Sequence, residues 1–446
     1  MKEQQNHFEA FELAQCATKL DKKILYLCSS DKEARLIKHE LELYLPDEEI
    51  AYYPEREILP YDRFSTSQSI IQSRIGLLNS NKQNLKVIIT SGLNLLEKLP
   101  AKEFFTARKV FHIGDKLSIK ELADNLVQLG YERADKVEII NQFTVRGGVV
   151  DLYSSFYTTP LRVDFFGDEI DDIRRFDIDS QAMTEKLKSF QLFYGAEIAL
   201  EENSIKNFKE RWRNYFQKHD ERYCEIFQNI TSAVLPEGYE IYMPLLQDKA
   251  TNLIDYFDGF SLMQSPTLNI ALANYNAYIK ERYEEESIDA LRPVMQPKDY
   301  FFTPDELSPY LGNATSVSEA QSGSKPDLTL GINDQIKDLV SQHQAGQIKT
   351  LFVTASEQIK LDELNKEYGF KNAVLPFDES GGLFSASHHP TRYFYDKNSS
   401  CAYINVENYL GQDTSVNKKV ASEQASLVHT FDNPFHDDEL VIHVDY

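Results

Sequence analysis

Arg146, Arg162 and Phe166 stand at spacings that could build a gripping surface. In "LRVDFF" (161–166), alternation puts Leu161, Val163 and Phe165 on one face of a strand and Arg162, Asp164 and Phe166 on the other. The first set makes a core face. The second leaves an aromatic ring beside a guanidinium at the surface, which is the composition of an interface hot spot. Arg146, in the neighbouring run, joins that face unless Gly147-Gly148 shifts the phase through a bulge. The bland expectation is that Arg162 pairs with Asp164 or Asp168 and that Phe166 folds back over the hairpin. As a solvent-facing residue, Arg162 is expected to tolerate charge reversal without loss of the fold.

Other chemistry is thin. A phosphate-cradling P-loop needs G-x-x-x-x-G-K-[ST], glycine amides to wrap the phosphates and a lysine to neutralise them. The first glycine of the chain is Gly76, the dipeptide Gly-Lys does not occur, and neither does G-x-G-x-x-G. ATP hydrolysis by the chain itself is therefore not expected. His388-His389 has no HExxH context or carboxylate at ligand spacing and reads as a solvated loop. The acidic runs "DEIDD" and "YEEES" read as solvated faces, and no serine sits in G-x-S-x-G. No metal or cofactor site is expected, and a binding protein is favoured over an enzyme.

These residues need elements to hold them. "KILYLCSS" (23–30), "EIAYYP" and "LKVIITS" read as buried strands separated by helices over 31–45 and "SQSIIQSRIGLLN". That β-α-β-α-β order implies a parallel sheet with helices on its faces. From about residue 109 the character changes. Ser118 and Glu121 have capping-box spacing, Gly130 follows the helix, and strand-like runs cover 142–153, 160–166 and 169–177. This is an α+β module set between α/β segments. Phe208, Trp212 and Phe216 form a helical stripe that reads as core. Residues 312–330 read as a linker, and a further small α/β unit follows.

With 446 residues, several domains are expected. No run of about 18 apolar residues suggests a membrane span. The four cysteines, Cys16, Cys28, Cys224 and Cys401, form no CxxC pair and suit a reducing cytoplasm. A net charge of −23 disfavours nucleic acid as a partner of the chain as a whole.

Four blocks carry a resemblance: "LPYDRFSTSQSIIQSRI" (59–75), "VRGGVVDLY" (145–153), "LRVDFFGDEIDDIRRFDIDSQ" (161–181) and "LPEGYEIYMPLL" (235–246). In order and spacing they resemble the N-terminal part of the bacterial transcription-repair-coupling factors, the Mfd family, and less closely the excision protein UvrB. The resemblance implies a degenerate helicase-like (RecA-like) parallel-sheet domain without a nucleotide site, built from residues 1–108 and 193–330. It implies an inserted α+β UvrA-binding domain over 109–192 and a small α/β domain over 331–432. The UvrA contact of that family falls on Arg146, Arg162 and Phe166.

The stretch 433–446 resembles the opening of a polymerase-binding domain, so the chain is expected to be a fragment. RNA polymerase, double-stranded DNA, and ATP with Mg belong, by the resemblance, to domains of the family that this chain lacks. The implied function is a non-catalytic adaptor that recruits UvrA in transcription-coupled nucleotide excision repair, in the cytoplasm. The alternative is a UvrB-type ATPase acting on damaged DNA.

Overall fold

The apolar runs 24–28 and 87–91 become strands buried along their whole length, as central strands of a parallel sheet require. In the computed structural model, residues 2–80, 82–105, 109–317, 332–355, 358–369, 382–385, 393–396 and 401–405 are described. The chain divides into two compact units, one of residues 16–38 and 47–317, the other of residues 1–15, 39–46 and 318 onward. The fold is mixed α/β.

The larger unit contains a five-stranded parallel sheet in the order Thr315–Ser316, Ser261–Gln264, Ile24–Cys28, Val87–Ser91, Ile50–Tyr53. Strands from both sides of residues 109–192 thus share one sheet. Helix Gln68–Asn79 buries Ile71, Ile75 and Leu78 in the adjoining core. Helix Glu202–Tyr215 delivers Phe208 and Trp212 to that same core, with Trp212 Nε1 included in the burial. The aromatic stripe is packing. The helix beginning at Asp31 ends at Leu41 rather than reaching Leu45, and Leu43, Tyr44 and Leu45 beyond it are buried.

A cluster of buried charge lies beyond the carboxyl ends of these strands. Arg56 Nε donates to Glu97 at 2.9 Å, and its Nη1 lies 2.6 Å from Glu197. Arg74, fully buried, also reaches Glu97 and Glu197, donates to the Pro54 carbonyl at 2.8 Å, and stacks 4.5 Å from the Tyr53 ring centre. Burial alone would raise the Glu197 carboxyl, but Arg56 and Arg74 together hold it below its ordinary range.

Close by, Glu55 is treated differently. Burial, then the negative charge of Asp31, pushes its carboxyl up to about 7 from an ordinary 4.5. Between those values the unfolded chain has released the proton that the folded chain keeps. Raising pH through that window therefore lowers stability, and the loss is complete above about 7. We expect Glu55→Gln to melt higher than wild type at pH 8 and equally at pH 4. Parallel melting curves at both pH values would contradict the assignment.

The segment that follows forms a six-stranded sheet in the order Met183–Leu187, Glu169–Phe176, Leu161–Phe166, Val149–Leu152, Gln142–Arg146, Glu132–Arg133. Its inner face, with Phe143, Val150, Leu152, Leu161, Val163, Ile170 and Ile173, packs on helix Ile119–Gln128 through Leu122 and Leu126. That helix starts as its capping spacing foretold: Ser118 Oγ accepts from the Glu121 amide at 3.1 Å. Gly130 closes it at φ +87°. Strand Lys109–His112 enters the module antiparallel to strand Ser189–Leu192, which leaves it, so entry and exit lie side by side.

The smaller unit holds a four-stranded sheet, Gly382–Ser385, Thr350–Ala355, Cys401–Asn405, Tyr393–Asp396, parallel except for its last strand. Helices Ile332–Gln344 and Gln358–Tyr368 contribute Leu339, Val340, Leu361 and Leu364 to its core. Residues 318–330 of the expected linker, His388-His389 and residues 433–446 lie outside the described residues.

Candidate functional site

The run 142–153 is not one strand but a hairpin. Gly147 takes φ +59° and with Gly148 makes a two-residue turn, so Arg146 pairs with Val149 and Thr144 with Asp151 in unbroken register. No bulge intervenes, and Arg146 stays on the outer face. The next hairpin turns at Gly167-Asp168, with Phe166 opposite Glu169. Register then sets Thr144, Asp151, Arg162, Arg174 and Lys186 in one row across five strands of the outer face.

The two arginines meet on one carboxylate. Arg162 donates from Nε to Asp151 Oδ1 at 2.6 Å and from Nη2 to Oδ2 at 2.7 Å. Arg146 Nη2 donates to the same Oδ2 at 2.8 Å. Both alternatives expected for Arg162, Asp164 and Asp168, are thus displaced by Asp151. Asp164 pairs instead with Arg174, which also reaches Asp172 at 3.1 Å. Asp172, from the acidic run read as a solvated face, further binds Lys186 at 2.9 Å. The guanidinium of Arg162 sits 4.9 Å from the Phe176 ring centre, a cation–π seat. Its hydrogen bonds to Asp151 keep it protonated above the ordinary arginine range.

Exposure separates the three candidates. Phe166 is 83 % exposed, so it does not fold back over the hairpin. Arg146 keeps 54 % of its side chain in solvent, Arg162 only 19 %, and Asp151 2 %. Charge reversal at Arg162 is therefore not innocent. Arg162→Glu sets a second carboxylate against a buried one, and we expect it to destabilise the module by about 2–3 kcal/mol. A urea melt that leaves Arg162→Glu level with wild type would refute this. Asp151 and Phe176 escaped the sequence reading. Recognising Gly147-Gly148 as a hairpin turn would have placed Asp151 on the outer face opposite Thr144; its place opposite Arg162 comes from the next strand pairing.

The strand-to-helix turn after Cys28 has the position of a nucleotide site in α/β sheets. Here the Glu33 carboxylate fills it, accepting from the Ser29 amide at 2.9 Å, from the Ser29 hydroxyl, and from Ser265 Oγ at 2.8 Å. Asp31 accepts at the same turn from Arg35 Nε at 2.7 Å and from the Tyr52 hydroxyl. Two carboxylates thus stand at this turn.

Among the described residues, no group of His, Cys, Asp and Glu could hold a metal ion. No described helix is long and apolar enough to cross a membrane.

Residues 110–197, the segment bearing the two-arginine face, match the family model of the UvrB interaction domain. The chain as a whole is similar to transcription-repair-coupling factors. It is 29 % identical to that of Escherichia coli over 64 % of this chain and 25 % of the relative. It is 26 % identical to that of Rickettsia conorii over 94 % of this chain and 39 % of the relative. It is 29 % identical to that of Haemophilus influenzae over 59 % of this chain and 23 % of the relative. The resemblance carried by the four sequence blocks is borne out. The chain spans less than half the length of these curated relatives.

Proposed function

We propose that this chain is a non-catalytic adaptor of transcription-coupled nucleotide excision repair whose inserted sheet recruits UvrA. The observation that carries the reading is Phe166, exposed at a hairpin end on the sheet face that Arg146 and Arg162 share, within the segment matching the UvrB interaction domain. An aromatic anchor beside arginines is the arrangement that dominates binding energy at protein interfaces. In this reading the parallel sheet is a helicase-like core, residues 1–108 and 193–330 are its two halves, and 331–432 form a separate small domain. Contacts to RNA polymerase and duplex DNA, and hydrolysis of ATP, fall to other parts of the family.

The alternative, a UvrB-type ATPase, is disfavoured by the Glu33 carboxylate at the strand-to-helix turn, which repels phosphate and occupies the donors that would bind it. The test is capture of purified UvrA by the chain, with Arg146→Glu as the charge control. Wild type should retain UvrA and Arg146→Glu should lose most of it while melting closer to wild type than Arg162→Glu does, because a side chain left 54 % exposed can swing away from Asp151. ATP turnover by the purified chain would revive the alternative.

A further inference from the structure

The outer face holds one acidic side chain almost sealed from water. Asp151 accepts three hydrogen bonds from two arginines, and its own exposure is 2 %. It stands on the strand between theirs: strand Val149–Leu152 lies between Gln142–Arg146 and Leu161–Phe166. A shared carboxylate in that place fixes two long, rotamer-rich side chains at one spacing. Phe176 supports the Arg162 guanidinium from beside it, 4.9 Å from ring centre to guanidinium carbon. Arg162 spends its Nε and Nη2 on Asp151, with Nη2 also 3.5 Å from Gln181 Oε1, and keeps 19 % of its side chain in solvent, while Arg146 spends one Nη and keeps 54 %.

We propose that Asp151 is the positioning residue of this face: it holds Arg146 and Arg162 as a pre-set pair aimed at an acidic patch of the partner, and touches no partner itself. The proposal rests on the UvrA reading above. A purely stabilising role is a poor account of the Arg146 contact, because an ion pair to a side chain left 54 % exposed adds little to folding. What the contact does change is where that guanidinium stands. Binding to a pre-set pair avoids ordering two flexible side chains at the moment of association. The pair and its carboxylate together carry a single net positive charge in a chain of −23, so complementarity calls for an acidic partner surface.

Binding kinetics of UvrA on the immobilised chain test this with wild type, Phe166→Ala, Asp151→Asn, Arg146→Ala and the Asp151→Asn/Arg146→Ala double variant. Asp151→Asn should dissociate about tenfold faster than wild type. The double variant should lose clearly less than the product of the two single losses, because the Asp151–Arg146 contact is removed in both. A merely structural role would shrink the fraction of chain that binds without altering its dissociation rate. A wild-type dissociation rate for Asp151→Asn, or losses that multiply in the double variant, overturns the proposal. Should Asp151→Asn not fold, Asp151→Glu takes its place: it keeps the charge but shifts it by a methylene, and the same faster dissociation is expected. Wild type that fails to bind, or Phe166→Ala that binds like wild type, overturns the UvrA reading instead, so the two failures are told apart.

Discussion

Phe166→Ala is expected to weaken UvrA binding by about 2–4 kcal/mol, roughly 30- to 1,000-fold, while the melting curve stays where it was. The two halves of this expectation have separate causes. A ring 83 % exposed at the end of a hairpin contributes almost nothing to the folded state, so its loss costs the fold little. The same ring, desolvated under a partner, is a large rigid anchor that immobilises few torsions. Its neighbours set the chemistry around it. Arg162 lies on the same strand face, and Arg146 lies across the sheet on the shared carboxylate. Titration calorimetry beside a thermal melt checks both halves. Undiminished affinity in a folded Phe166→Ala chain would remove the anchor from this surface, and with it the adaptor reading.

Glu197→Ala has the opposite profile. It should cost about 3–5 kcal/mol of stability, because removing one member of a buried ion cluster leaves the other charges uncompensated. Glu197 is fully buried, and it is the residue through which Arg56 and Arg74 are both neutralised alongside Glu97. It follows the module's exit strand, Ser189–Leu192, closely in the chain, so the cluster also clamps that exit to the parallel-sheet domain. Because Arg56 and Arg74 depress its carboxyl, the stability it contributes is present above the ordinary glutamate value and disappears as pH falls through the lower folded one. Urea midpoints at pH 7 for wild type and Glu197→Ala give the difference. A change below about 1 kcal/mol would mean the cluster relaxes or admits water.

Much of the scaffold was legible because it rests on local pattern. The runs 24–28 and 87–91 are apolar throughout and buried throughout, and the Phe208–Trp212 stripe went to the core. Ser118 capped its helix from spacing alone. The strands Lys109–His112 and Met183–Leu187 carried no such signal, being largely exposed edge or neck elements held by backbone pairing. Within the site, alternation placed Arg162 and Phe166 on one face, but the reading of 142–153 as a single strand hid the hairpin that sets Asp151 on that face, and its place across from Arg162 depends on a further strand pairing that no local pattern announces. The Arg56–Glu97–Glu197 cluster was invisible for a different reason. Its members are far apart in the chain, and only the tertiary fold brings them together.

The paired strands Lys109–His112 and Ser189–Leu192 have a thermodynamic meaning for the rest of the molecule. To the parallel sheet, which draws strands from both sides of it, the module is a long loop whose ends must be held together. If that loop were a random chain, closing it would cost about 4 kcal/mol in lost chain entropy. Folded, it arrives with its ends already joined. The binding module and the domain that carries it are therefore coupled in stability: a substitution that melts the outer sheet also withdraws that ready-made closure from the parallel sheet beside it.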